Sequence, residues 1–390
     1  MTQRICVVTG SRADYGLLFW LMKEIDADPA FELKIVATGM HLSPDFGLTY
    51  RVIENDGFRI DHKVEMLLSG DTASSTAKSI GLGVIGFSDA IVRLRPDMMV
   101  LLGDRFEVFA AAQAALVARI PIAHLCGGDT TEGAFDEAMR HGITKMSHLH
   151  FVTNGEAELR VRQLGEDPEH VFNVGSPGID FLKRMEYLDR SELENRLDFR
   201  FRNHNLLVTF HPATLEVASP SEQFRIVLDA LDRLPANDFG LIFTKPNADN
   251  HGRELMAMID EYVARRANAR AYTSLGPQLY LSVLAQVDAV VGNSSSALYE
   301  APSLGTPSVD IGDRQKGRIL ADSVVHCEVS ANAIVEAIQS ALSKDCRNTV
   351  NPYGSGESVP RIIAVLKCFP DPSSLVQKRF FDQRPGNERN

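Results

Sequence analysis

The chain is expected to fold as two α/β domains, each a doubly wound, Rossmann-like parallel sheet covered by helices on both faces. Three observations lead there. Short runs that are apolar on both faces alternate with amphipathic stretches of helical length, as strands buried in a parallel sheet require. Turn formers at Gly175-Ser-Pro-Gly178 interrupt that alternation, which then repeats. The length of 390 residues exceeds what one hydrophobic core usually serves.

In the first half, strands are expected at 4–9, 33–38, 98–102, 122–126, 149–152 and 171–174, where Val, Ile and Leu dominate. Helices fall between them at 15–25, 74–94, 106–118, 135–146 and 155–164. The second half gives strands at 206–210, 241–244, 269–273, 289–291, 308–311 and 324–328, with helices near 221–234, 253–265, 277–285, 295–304 and 331–342. The domains are expected to span 1–177 and 178–358, and residues 359–390 to supply an amphipathic helix packing across the junction and then a tail. After Gly386 nothing apolar remains to bury, so that end is expected to be disordered. Two sheets facing one another across a cleft form the expected architecture, with ligands at the carboxyl ends of strands.

Composition narrows the function. The 44% hydrophobic and 23% charged content is that of a soluble globular protein. With 40 Lys and Arg against 51 Asp and Glu, the net charge of -11 argues against a nucleic-acid partner, so an anionic ligand needs a local basic pocket. The five cysteines are widely spaced and form no C-x-x-C pair, as in reduced cytoplasmic proteins. The strand-like opening Ile5-Cys-Val-Val-Thr9 resembles no signal peptide, and no membrane span is expected. No Walker loop, G-x-S-x-G elbow or H-E-x-x-H pair occurs. Gly81-Leu-Gly-Val-Ile-Gly86 fits the dinucleotide pattern G-x-G-x-x-G, but it follows a helix-like stretch instead of a strand, so close helix packing is the expected reason for its glycines.

The most informative segment is Val287-Asp-Ala-Val-Val-Gly-Asn-Ser-Ser-Ser-Ala-Leu-Tyr-Glu300, an apolar strand running into a hydroxyl-rich turn that opens a helix. Gly292 and Asn293 permit a tight bend, while Ser294 and Ser295 offer hydroxyls and backbone N–H groups to a phosphate at the start of a helix. An ordinary N-cap is the plain alternative. Glu300 and Gly312-Asp-Arg-Gln-Lys-Gly-Arg318, which contains Arg314, follow soon after. In the first half, strand ends lead into Gly10-Ser-Arg-Ala-Asp14, Gly39-Met-His41, Gly103-Asp-Arg105 and Gly127-Gly-Asp129, with Asp136, Arg140 and His141 one helical turn further. Arg12 and Arg105 suit a phosphate or carboxylate partner. Asp14 also fits a plain cap, and Asp136 with Arg140 a structural i,i+4 ion pair. Carboxylates converging beside arginines suit general acid/base work on an anionic substrate, because crowding raises at least one carboxyl pKa. His211 and His41 stand at strand ends, one in each half. His148 and His150 share a strand face, where a core or surface position outweighs a metal site.

Together, Gly10-Ser-Arg-Ala-Asp-Tyr-Gly16, Gly39-Met-His41, Leu102-Gly-Asp-Arg-Phe106, His124-x-x-Gly-Gly128, Arg140-His-x-x-x-Lys-Met-Ser147, Phe210-His-Pro212, Gly292-Asn-Ser-Ser295 and Gly312-Asp-Arg-Gln-Lys-Gly-Arg318 resemble the hydrolysing UDP-N-acetylglucosamine 2-epimerases of sialic-acid synthesis. The resemblance runs over essentially the whole chain and implies a glycosyltransferase-B type fold. It implies loss of UDP from UDP-GlcNAc by elimination across C1 and C2, then rehydration of the glycal to N-acetylmannosamine. The same reaction on a UDP-linked 2,4-diacetamido-2,4,6-trideoxy sugar of legionaminic-acid synthesis is the alternative, followed by a non-hydrolysing epimerase or a glycosyltransferase. By resemblance, Asp104 and Asp136 are catalytic carboxylates. His211, Arg12, Asp14, Ser294, Ser295, Glu300 and Arg314 fall at nucleotide contacts, with Glu300 toward the ribose and Asn247 toward uracil. Cys126 departs from the pattern, since many relatives carry Glu there; a thiol is a poor acid/base substitute, so either that position is not essential in this branch or Asp129 takes up part of the role. Leu102 stands where some relatives have His, which shifts leaving-group assistance toward Arg12, Arg105 and the serine turn. No cofactor or metal is expected, and a homodimer or homotetramer is.

Overall fold

The structure, a computed structural model, describes residues 2–69, 72–130, 136–211, 219–246, 252–273 and 275–383. The chain forms two compact units, one of Met1–Phe181 with Tyr353–Asn390 and the other of Leu182–Pro352.

The first unit carries strands β1 (Gln3–Thr9), β2 (Phe31–Thr38), β3 (His62–Val64), β4 (Met98–Leu102), β5 (Ile122–Leu125), β6 (Leu149–Val152) and β7 (Val171–Asn173). They form one sheet in the order β3-β2-β1-β4-β5-β6-β7, with every pairing parallel. All the strands expected here are present, and β3 is an addition. At three residues, with His62 half-buried and Lys63 exposed, β3 is too short and polar to show an apolar run. The second unit holds β8 (His204–Thr209), β9 (Phe239–Thr244), β10 (Ala269–Tyr272), β11 (Ala289–Gly292), β12 (Ser308–Ile311) and β13 (Val324–Cys327), again all parallel, in the order β10-β9-β8-β11-β12-β13. Two doubly wound α/β domains are thus present, as expected.

Strand order decides where ligands can sit. In the first sheet the winding reverses between β1 and β4, and in the second between β8 and β11. At such a reversal the flanking helices lie on opposite faces and leave a crevice beyond the carboxyl ends. The segments after β1, β4, β8 and β11 hold Asp14, Asp104, His211 and Asn293 respectively.

Helix Ala73–Leu94 contains Gly81, Gly83 and Gly86. A methyl at Gly83 would lie 2.7 Å from Met66 Cε and 2.8 Å from Ala110 Cβ, and one at Gly86 2.7 Å from Val64 Cγ1. Gly81 meets nothing within 4 Å, so the close packing falls on Gly83 and Gly86 of the dinucleotide-like motif. Helix Ser358–Cys368 buries Val359, Ile362 and Leu366 in the core formed by β1, β2, β4 and helix Arg12–Ala27. The C-terminal segment belongs to the first unit, whose first stretch ends at Phe181. Helices at Tyr50–Asn55, Pro177–Arg184 and Arg190–Leu197 are also additions to the expected set. No described helix is long and apolar enough to cross a membrane.

Lys378 ties the C-terminal segment down. Its ammonium lies 2.6 Å from buried Glu166, whose carboxylate also meets Lys145 at 2.6 Å and His150 Nε2 at 2.8 Å. Burial alone would raise the Glu166 pKa, but His150, Lys145 and Lys378 hold it down to about 2. A depressed carboxyl stabilises the fold above its unfolded pKa and loses that contribution as pH falls through its folded value. With an ordinary value of 4.5, the window runs from there down to about 2 and is worth on the order of 3 kcal/mol. Glu166→Gln is expected to flatten the acid limb of melting temperature against pH between those limits. An acid limb identical to that of the parent would rule this cluster out as its source.

Candidate functional site

In the first unit, Ser11 ends β1's extension and caps helix Arg12–Ala27, its hydroxyl accepting from Asp14 N. The Asp14 carboxylate turns back to accept from Gly10 N at 3.3 Å. Burial raises its pKa to about 6, a rise that Glu107 supports and Arg105 opposes. Arg12, the first helical residue, is exposed. His41 is fully buried, with Nε2 3.0 Å from Thr9 Oγ1 and Nδ1 2.8 Å from Thr49 Oγ1. Burial pushes its pKa down to about 4, so the ring is a neutral bridge between β1 and the segment after β2.

Beyond β4, Gly103 turns with φ +78° and presents Asp104 and Arg105. Buried His124 on β5 donates from Nε2 to the Gly103 carbonyl at 2.8 Å and meets Thr144 Oγ1 through Nδ1 at 3.2 Å, which fixes the turn. Asp104 forms an ion pair with Arg140, which also bonds Glu137 at 3.0 Å and the Asp129 carbonyl at 2.6 Å. The i,i+4 pairing of Asp136 with Arg140 is corrected here: the guanidinium goes to Asp104 and to Glu137, three residues back along the helix. Asp136, at the start of helix Asp136–Met146, forms no salt bridge among the described residues. Burial and then the negative charge of Asp104 raise its pKa, while Arg105 and Arg140 oppose the rise. The Asp129 carboxylate accepts from buried Thr153. Cys126 sits between them with φ +61°, a left-handed conformation uncommon for a residue with a side chain. Burial and the carboxylates of Asp129 and Asp104 push its thiol above the usual range, against Arg140, so it is a neutral group. Asp14, Asp104, Arg105, Asp129, Asp136 and Arg140 thus form one charged cluster at the rim.

Two contributors to that cluster escaped the sequence reading. Glu107, fully buried, grips Arg105 with both oxygens. Its signal was an acidic residue in a helix's first turn, indistinguishable from a favourable charge at a helix N-terminus. The His124 bond to Gly103 had no local signal, because it joins residues on neighbouring strands.

In the second unit the turn after β11 is built around Gly292, with φ +143°, where a methyl would lie 1.9 Å from Thr209 O. Asn293 is buried and clamps the His211 backbone: its Oδ1 accepts from His211 N at 2.7 Å and its Nδ2 donates to His211 O at 2.9 Å. Burial, aided by Arg314, pushes the His211 pKa down to about 4, which leaves a neutral imidazole. Arg314 donates to the Asn293 carbonyl at 2.9 Å and Gln315 does so at 2.8 Å. Ser294 is buried, with its hydroxyl toward Ser296 N at 3.4 Å, and Ser295 is exposed. The helix expected over 295–304 is only Ser296–Tyr299, continued by a 3-10 turn at Ala301–Leu304. Pro302 cannot continue an α-helix, so the dipole behind the serine turn is smaller than expected. Glu300 has Oε2 buried with no hydrogen-bond partner among the described residues, and burial raises its pKa. The Tyr280 hydroxyl lies beside Ser296, Thr209 and Ser294, and burial pushes its pKa up to about 12; an amphipathic helix gave no reason to single it out. Asn247 lies outside the described residues.

Two doubly wound domains with polar constellations at both switch points define a glycosyltransferase-B type fold. The fold matches that of the UDP-GlcNAc 2-epimerase from Neisseria meningitidis bound to UDP-GlcNAc, at TM-score 0.81 and 18% identity, covering 94% of this chain and 100% of that one. Residues 23–367 match the UDP-N-acetylglucosamine 2-epimerase family, and the chain belongs to that family. It is 41% identical over 344 residues to a GDP/UDP-N,N'-diacetylbacillosamine 2-epimerase (hydrolyzing) of Campylobacter jejuni, covering 88% of each chain. It is 35% identical over 378 residues to the UDP-N,N'-diacetylbacillosamine 2-epimerase (hydrolyzing) of Legionella pneumophila, covering 97% of this chain and 99% of that one.

Proposed function

We propose that this protein is a hydrolysing 2-epimerase that converts a UDP-linked 2,4-diacetamido-2,4,6-trideoxyglucose to UDP and the free manno-configured sugar. The substrate rests on the Campylobacter and Legionella relatives, whose names specify the nucleotide of N,N'-diacetylbacillosamine, this same diacetamido sugar. The residue motifs alone put UDP-GlcNAc first and the diacetamido sugar second; the relatives reverse that order.

The observation that carries the chemistry is the unlike setting of two neighbouring carboxyls. Asp104 is held against the Arg140 cation, whereas Asp136 has its pKa raised by burial and by Asp104. A carboxylate paired with a cation suits removal of the C2 proton, and a carboxyl with a raised pKa suits its return. In the first step Asp104 takes the C2 proton while the C1–O bond breaks, its electron pair leaving with UDP, and a 1,2-glycal forms. Water then adds its hydroxyl to C1, its other proton passing by way of Asp129 to solvent, as Asp136 delivers a proton to the opposite face at C2. Asp129 helps orient the water. The neutral thiol of Cys126 takes no part in proton transfer. In the second unit, Arg314 and the turn Gly292–Ser295 hold the diphosphate, Glu300 the ribose, and the Asn293-clamped His211 a phosphate oxygen.

Incubation in deuterium oxide with each sugar nucleotide, followed by NMR, tests this. Free UDP, deuterium at C2 of a free sugar, and a kcat/KM at least ~10-fold higher for the diacetamido substrate are expected; two missing substrate contacts are worth about that ratio or more. A C2-epimerised product still attached to UDP would refute hydrolysis, and faster turnover of UDP-GlcNAc would refute the substrate.

A further inference from the structure

The carboxyl ends of β2, β1 and β4 converge on one buried acid that no proposed step uses. Glu107 is fully buried at the start of helix Phe106–Val117, and both its oxygens face Arg105: Nε lies 3.2 Å from Oε2 and Nη2 3.0 Å from Oε1. The surrounding chain is cut to fit it. A methyl at Gly39, beyond β2, would lie 2.6 Å from Glu107 Oε1 and 2.7 Å from its Cγ. One at Gly10, beyond β1, would touch Glu107 at 3.5 Å, an ordinary contact. Gly39 also has φ +56°, so backbone and space both call for glycine there.

We propose that Glu107 is the positioning residue for Arg105, fixing its guanidinium at the β1/β4 switch point so that its remaining N–H edge meets an anionic oxygen of the substrate. A fork-to-fork pair fixes the plane of the guanidinium as well as its place, which a single hydrogen bond does not. The pair engages Nε and Nη2; Nη1 makes no hydrogen bond among the described residues. Arg105 is a third exposed, so that edge is accessible. Its electrostatic neighbours beyond Glu107 are Asp14 and Asp136, so it stands beside the carboxyl assigned to proton return. A simple structural ion pair would not require an arginine to be held a third in solvent by a wholly buried acid.

This inference rests on the proposed hydrolysing reaction for the arginine's partner, but its test is separable. Glu107→Gln keeps size and one acceptor while losing the second, and Arg105→Lys keeps charge while losing the fork. Both variants and the double variant are compared for UDP release and for UDP binding by calorimetry, with melting curves confirming the fold. Each single change is expected to lower kcat/KM on the order of 10-fold or more, with the double no worse than R105K, because neighbours acting as one unit are not additive. Multiplying losses, or an E107Q enzyme with unchanged kcat/KM and UDP affinity, would overturn the proposal. If the parent releases no UDP from either sugar nucleotide, the reaction is refuted. The inference then stands on a non-additive cycle in UDP affinity, and falls if that cycle is additive.

Discussion

Asp104→Asn and Asp136→Asn are each expected to lower UDP release by on the order of 10²–10⁴-fold, the usual contribution of a positioned acid or base. Nucleotide affinity should stay within about two-fold of the parent, because neither carboxyl is assigned to UDP. The two variants differ in their effect on stability. Asp104 neutralises a buried guanidinium, but Arg140 keeps Glu137 and the Asp129 carbonyl, so D104N loses one of several partners and remains folded. Asp136 forms no ion pair among the described residues and its charged form is penalised by burial, so D136N should leave the melting temperature nearly unchanged. Its cost is confined to a charge at a helix N-terminus, a few tenths of a kcal/mol to about 1. Steady-state UDP release, calorimetric UDP binding and thermal melts on the same preparations separate the roles. Full turnover in either variant removes that residue from proton transfer, and parallel loss of turnover and fold would reassign it to structure.

Gly292→Ala is expected to have the largest effect on the second unit. The new methyl would lie 1.9 Å from Thr209 O, a backbone atom of the neighbouring strand that no side-chain rotation can move aside. The φ of +143° is also costly for any residue with a Cβ. Backbone strain of this kind costs about 1–3 kcal/mol, and displacement of β11 from β8 adds to it, so a loss of at least ~3 kcal/mol is expected, among the larger values for single changes. Since Asn293 follows directly and clamps His211, UDP affinity should fall together with stability. Denaturant midpoints and UDP binding measure both; a variant within about 0.5 kcal/mol of the parent, the usual scatter of surface changes, would show that the turn can relax.

These outcomes trace back to different levels of information. Doubly wound domains were legible because strands buried on both faces leave short, largely apolar runs, as in Met-Met-Val-Leu-Leu at 98–102 and Leu-His-Phe-Val at 149–152, both of which match their strands residue for residue. The polar β3 and the short helix Tyr50–Asn55 carry little buried apolar surface, so periodicity could not reveal them. At the rim, glycines after strands marked Gly103, Gly39 and Gly292 from sequence alone, since sharp turns with positive φ leave few alternatives.

Taken by itself, the sequence determined the fold class, the order of strands along the chain, and which segments stand at strand ends, because these follow from local periodicity and turn chemistry. Only the tertiary structure decided the partners: Arg140 with Asp104 in place of Asp136, Glu107 under Arg105, His124 on Gly103, and Asn293 around His211. It also placed the helix Ser358–Cys368 in the first unit's core. The physical reason is range. Hydrogen bonds and ion pairs between residues brought together by parallel crossovers depend on strand order, and strand order leaves no mark on the residues it joins.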